Sequence, residues 1–197
     1  MTTPYASTAY TNGYEFTQGT GYTLPEYPSI APPDLHAAAV QRYPIVIVGA
    51  GITGLTMACC LAKLGVRAVL LDEDNTVGVK GASSRGICYT QKSLEIFQRL
   101  GVYERIAAKG VQWSVGRTFA GADEVYSFDL RQQSNFGLSA QPAFINIQQF
   151  YTEGYLVERI AELGQVDMRW CSRVVGFEQH AGYATLAVDT PAGRYSM

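Results

Sequence analysis

Three glycines, Gly49, Gly51 and Gly54, stand at G-x-G-x-x-G spacing, and an acid, Asp72, follows 18 positions after the last of them. Residues of these types at these intervals can hold a diphosphate-linked nucleotide. Gly49 lets the chain leave a strand in a tight turn. Gly51 has no side chain, so a pyrophosphate can approach the backbone, and Gly54 lets a helix pack close to the strand. Ala50, Ile52 and Thr53 lie between them, where free N–H groups and the positive end of a helix dipole face the phosphates. A carboxylate at the position of Asp72 can accept hydrogen bonds from ribose hydroxyls, and its neighbour Glu73 is a second acid at the same place.

This chemistry needs a strand, a turn, a helix and a second strand, and the sequence supplies all four. Ile45 to Val48 is a short, β-branched, wholly apolar run that reads as a buried parallel strand. Leu55, Ala58, Cys59 and Ala62 recur at helical spacing and should face the sheet. Lys63 suits the negative end of that helix, and Gly65 ends it. Val66 to Leu71 forms a second apolar strand, closed by Asp72. Glycines that serve packing alone would not need an acid at this distance.

Two further stretches carry candidate chemistry. Gly81-Ala82-Ser83-Ser84-Arg85-Gly86 sets small residues around one cation. That composition fits a backbone lying close to an anionic ligand, and it fits a solvated surface arginine equally well. Farther on, Gln148 and Gln149 stand at the start of a helix running from about Phe150 to Leu163 and stopped by Gly164. Tyr155, Leu156 and Ile160 form its apolar face.

The chain has 197 residues, enough for one sizeable core. A net charge of -2 gives no reason to expect nucleic acid or an anionic membrane as partner. No apolar run approaches the roughly 18 residues of a membrane span. The four cysteines show neither metal spacing nor a disulfide framework, as in a cytoplasmic protein with reduced thiols. Residues 1–42 differ from the rest: six of the eight prolines occur by Pro44, Thr, Ser, Gly and Tyr abound, and Arg42 is the first basic residue. They read as an extended or disordered N-terminal arm.

Between the candidate sites, Thr90 or Ser93 can cap a helix over Ser93 to Leu100, and Tyr103 to Lys109 reads as a short second helix. Val111 to Phe119 and Glu124 to Leu130 read as a hairpin, and Arg131 to Gln141 as a loop. Val166 to Trp170 should return to the parallel sheet. A hairpin follows, with Arg173 to Glu178 against Ala184 to Asp189, and Arg194 to Met197 begins a further strand. The fold class is α/β: a Rossmann-like domain with a parallel sheet, a glycine-turn βαβ start and added antiparallel hairpins.

Four stretches together resemble the N-terminal part of the FAD-dependent aromatic hydroxylases, the single-component flavoprotein monooxygenases of the phenol and 3-(3-hydroxyphenyl)propionate hydroxylase type. They are VIVGAGITGL at 46–55, VLLDED at 69–74, SSRGICYTQKSLEIFQRLG at 83–101 and PAFINIQQFYTEGYLVERI at 142–160. The resemblance runs from about residue 43 to the end. It implies an FAD-binding domain over 43–197, incomplete at its C-terminus because the family's second FAD motif would follow Met197. It implies that Gly49, Gly51 and Gly54 meet the FAD pyrophosphate and that Asp72 holds the adenosine ribose, with Glu73 or a water sharing the job. Ser84 and Arg85 would approach the flavin side, and Gln149 or its neighbour Gln148 would bond the cofactor. The implied reaction takes NAD(P)H as co-substrate, reduces the flavin and uses O2 to hydroxylate a small aromatic substrate; a homodimer of the full-length form is compatible with it. No residue stands out as a catalytic base. Two other readings are an NAD(P)-dependent Rossmann oxidoreductase, because Asp72 suits NAD as well, and a non-catalytic nucleotide-binding remnant.

Overall fold

The computed structural model describes residues 24–78, 86–132, 137 and 139–197. In chain order the elements are β1 (Val46–Val48), α1 (Ile52–Lys63), β2 (Ala68–Leu71), β3 (Cys88–Thr90), α2 (Gln91–Leu100), α3 (Tyr103–Lys109), β4 (Val111–Trp113) and β5 (Val115–Ala120). They continue as β6 (Asp123–Asp129), β7 (Phe144–Asn146), α4 (Gln149–Leu163), β8 (Val166–Arg169), β9 (Arg173–His180), β10 (Tyr183–Thr190) and β11 (Gly193–Ser196).

The centre is a parallel sheet in the order β1-β2-β8. Its middle strand is buried along its whole length, and successive side chains of β2 point to opposite faces, as the period of a strand requires. Leu70 joins a core with Leu55, Ala58 and Cys59 of α1, Leu94 and Phe97 of α2 and Leu156 and Ile160 of α4. Val69 and Leu71 face the other way, into a second core with Leu186 and Val188 of β10, Tyr195 of β11 and Met197. The molecule is therefore layered: helices, parallel sheet, then the antiparallel sheet β11-β10-β9. Among the described residues no helix is long and apolar enough to cross a membrane.

Local signals account for the helix ends. Thr90 accepts from the Ser93 N–H at the start of α2, and Gly101 and Gly164 take the left-handed conformation after α2 and α4. Lys63, expected only to complement its own helix end, donates to the Arg99 carbonyl in the last turn of α2.

Three expectations change. Val48, expected in a buried strand, is 59% exposed: β1 is an edge of the sheet among the described residues, and Val48 lines an open cavity at the strand's carboxyl end. The strand expected over Val111 to Phe119 breaks at Ser114: β4 pairs with β7 while β5 pairs with β6. A small sheet, β3-β7-β4, was not anticipated. Its strands have three residues each, too few to show alternation.

Residues 24–36 lie against the body, with a 3-10 turn at Pro33–His36. Tyr27 stacks on Trp170 with ring centroids 4.4 Å apart, and its N–H donates to the Asn75 carbonyl at 2.7 Å. Asp34 pairs with Arg169 at 2.8 Å, both side chains being almost fully buried.

Candidate functional site

At the carboxyl end of β1 and β2 the chain opens into a cavity of about 420 Å³. The turn after β1 and the loop Asp72–Gly78 form two of its walls, and α4 contributes Gln149 and Glu153. In open α/β sheets this is the end at which ligands bind.

The glycines divide the work as their spacing suggests. Gly49 has φ +101°, a left-handed conformation that disfavours any side chain, and its N–H donates to the Leu71 carbonyl at 2.7 Å. A Cβ on Gly54 would sit 2.0 Å from the Gly49 carbonyl oxygen, so this glycine is required by the contact between α1 and the turn. A Cβ on Gly51 would meet nothing within 4 Å, so protein packing places no demand on its size. Gly51 is also the N-cap of α1, with no side-chain capping bond and no acid in the first turn. Helix starts normally have their free N–H groups met by such caps. Here no cap comes from the chain's own turn: the Ile52 N–H is met by the Glu153 carboxylate from α4, and the dipole favours an anion at this helix start. Ala50 is buried, whereas Ile52 is half-buried and Thr53 exposed at the same helix start.

Asp72 reaches across this turn. One carboxylate oxygen accepts from the Ala50 N–H at 2.5 Å and the other from the Asp74 N–H at 2.9 Å. The acid thus ties the glycine turn to the end of β2 as well as lining the cavity. Glu73 lines it too and lies 3.6 Å from Arg173, a loose and partly exposed pair.

The two glutamines separate. Gln148 is the exposed N-cap of α4 and is not part of the cavity wall, while Gln149 lines the cavity. The Gln149 Oε1 accepts from the Gly86 N–H at 3.2 Å, and its Nε2 donates to Glu153 Oε1 at 2.6 Å. It therefore holds Gly86 against α4. Ser84 and Arg85 lie outside the described residues.

Glu153 is the residue that sequence reasoning missed. It is 3% exposed, and its carboxylate also receives backbone hydrogen bonds from Ile52 and Gly78. Burial pushes its pKa up, the hydrogen bonds pull it back, and the negative charge of Asp72 adds to the rise. The signal was an acid four positions after Gln149, on the same helix face as Leu156, Val157 and Ile160. An acid on an apolar face requires a partner or a task.

The sequence profile of the FAD binding domain family matches residues 42–193. A flavin-dependent monooxygenase of Mycobacteroides abscessus is 29% identical over 150 residues, 74% of this chain and 31% of that protein. A Streptomyces rimosus protein, 12-dehydrotetracycline 5-monooxygenase/anhydrotetracycline 6-monooxygenase, is 30% identical over 160 residues, 80% of this chain and 29% of that protein. Among solved structures, p-nitrophenol 4-monooxygenase of Pseudomonas putida superposes with a TM-score of 0.70 at 26% identity, covering 78% of this chain and 38% of that one. The chain thus spans about a third of the length of the proteins it matches.

Proposed function

Because the chain belongs to the FAD binding domain family, we propose that it is the FAD-binding portion of a flavin-dependent monooxygenase that uses NAD(P)H and O2 to hydroxylate a phenolic substrate. The observation that carries the reading is the start of α1: a helix N-terminus whose N-cap is a glycine with open space at its Cβ and no side-chain capping bond, with a carboxylate across the turn. A mononucleotide phosphate would use the first two features. A dinucleotide whose adenosine ribose lies along the end of β2 uses all three.

The residues fit the cofactor. Gly51 and the N–H groups that follow it would receive the diphosphate, Asp72 would turn one carboxylate oxygen to the ribose, and Gln149 would stand on the far wall. Ser84 and Arg85 are assigned to the flavin side on sequence resemblance alone. When bound, FAD supplies the electron and oxygen chemistry, and the protein's part is to bind it, orient it and exclude water. The similarity to relatives named for aromatic substrates supports a small aromatic ring as the substrate class. Four free thiols fit a cytoplasmic setting.

Titration of the purified chain with FAD and separately with NAD, followed by flavin fluorescence and by melting temperature, tests the cofactor. FAD should raise the melting temperature and NAD should not; the opposite result would replace the flavin reading with a nicotinamide one. NAD(P)H oxidation by the full-length protein, stimulated by phenols, tests the reaction.

A further inference from the structure

Glu153 is a buried carboxyl in the wall of the cavity, and it meets the same helix start that would receive the diphosphate. Among the described residues its hydrogen-bond partners are neutral: the Gln149 amide and the backbone N–H groups of Ile52 and Gly78. The titratable groups around it are mostly acids. Asp72 faces it from the end of β2, Glu73 and Asp74 line the same cavity from the following loop, and Tyr89 faces it from β3. Arg173 also lines the cavity, and it lies beside Glu73. Among the described residues, no cation forms an ion pair with Glu153 of the kind that Asp34 forms with Arg169.

A carboxylate held only by neutral donors, with a like charge nearby, is poorly placed to remain charged when a diphosphate brings more negative charge to the Ile52 N–H. Converting it to the neutral acid removes the repulsion and costs only a proton from solvent. We propose that Glu153 is a proton-accepting member of the cofactor site, taking up a proton from solvent as the diphosphate of a dinucleotide docks at the start of α1. The proposal rests on the reading of the pocket given above and adds a coupling that the reading does not contain.

The sign follows from linkage. Where Glu153 is already neutral in the free protein, docking takes up no proton and affinity is independent of pH. At higher pH, where only the complex holds the proton, affinity falls as pH rises, by up to about tenfold per pH unit. At still higher pH neither form is protonated and affinity levels off at its weaker value.

The experiment is isothermal titration of the chain with FAD and with ADP, which carries the ribose and diphosphate without the flavin. Each is run in two buffers of different ionisation enthalpy, from pH 5 to 9, on the parent protein and on Glu153→Gln. The expected result is uptake of up to about one proton with both ligands within the falling part of the profile. With FAD, whose diphosphate does not titrate in this range, the uptake is absent in Glu153→Gln. With ADP, whose terminal phosphate titrates at about pH 6, the uptake is smaller in the variant by the Glu153 share. Glu153→Gln mimics the neutral acid and should bind more tightly than the parent at the alkaline end. A purely structural role predicts weaker binding by Glu153→Gln at every pH. Should that variant fail to fold, the parent profile with FAD decides: binding of FAD without proton uptake at any pH overturns the proposal. Binding of ADP but not FAD overturns the flavin reading and leaves the proton coupling measurable. A chain that binds neither ligand overturns both.

Discussion

Arg169 and Glu153 are both buried ionisable side chains, 5% and 3% exposed, and they are treated in opposite ways. Arg169 ends β8 with its charge met on every side. Asp34 and Asp167 each lie 2.8 Å away, and it donates to the Tyr43 and Tyr195 hydroxyls at 2.9 and 3.2 Å. Burial alone would lower its pKa, but these hydrogen bonds outweigh that and hold the guanidinium firmly charged. Among the described residues, Glu153 has a like charge near it and only neutral donors. The first arrangement fastens chain segments together and leaves nothing for a ligand to change. The second leaves a group whose ionisation an incoming anion can alter. A buried charge serves structure when the fold supplies its counter-charge, and is open to a ligand when the fold does not.

Breaking the fastened site should have the largest effect. Arg169→Ala leaves Asp34 buried without its partner and should destabilise the chain by about 3–5 kcal/mol, read from urea denaturation. A loss of the size expected for an exposed pair, below about 1 kcal/mol, would mean that Arg169 is no clasp and the contrast with Glu153 is empty.

The open site makes the converse prediction. The Cβ of Gly51→Val meets no protein atom within 4 Å, so stability should fall far less than in Gly54→Val while FAD affinity falls by about a hundredfold or more, equivalent to about 2.7 kcal/mol. Parallel loss of stability and binding would show that the turn is constrained by packing instead. Gly54→Val is the internal control: its Cβ collides with the Gly49 carbonyl, so stability falls first.

Asp72→Ala lies between the two classes, because this acid both lines the cavity and ties Ala50 to Asp74. We expect FAD binding to weaken by about 1.5–3 kcal/mol, one to two decades, with the domain still folded. An unchanged dissociation constant, measured by fluorescence titration, would move the ribose contact to Glu73.

The smallest effect is expected at the start of α2, away from both buried charges. Thr90→Ala removes the side-chain cap of α2 and should cost about 1 kcal/mol in thermal or urea unfolding, with FAD affinity untouched. A change in affinity would mean that the α2 start communicates with the cavity.

What the sequence revealed depends on how locally each feature is encoded. The unit β1–α1–β2 was legible because turn, helix period and strands lie within one continuous stretch, and Leu55, Ala58, Cys59 and Ala62 are all buried as their spacing predicts. The ends of α2 and α4 were legible within a residue or two because Gly101 and Gly164 mark them. The sheet β3-β7-β4 was not, since three-residue strands have no period and their pairing is set by distant partners. Exposure of Val48 was missed because an apolar run does not say whether its strand lies at the edge. At the candidate site, the glycines and Asp72 announced themselves by spacing, and the structure brings Gln149 to the same cavity. Glu153 was hidden within a helix read for its apolar residues, and its surroundings come from β2, β3 and the loop before Gly78.

The position of β2 has a further consequence, for the order in which the chain can assemble. Its partner β1 precedes it directly, but β8, on its other edge, arrives only after two sheets and three helices have been made. Asp34 must wait equally long for Arg169. During synthesis, therefore, the strand buried along its whole length has one open edge, and the N-terminal segment lacks Trp170 and Arg169, two of the residues it docks on. Local contacts close quickly and distant ones slowly. This interval is when the nascent chain is most open to wrong pairing, and it ends when β8 slides into place and the arm locks behind it.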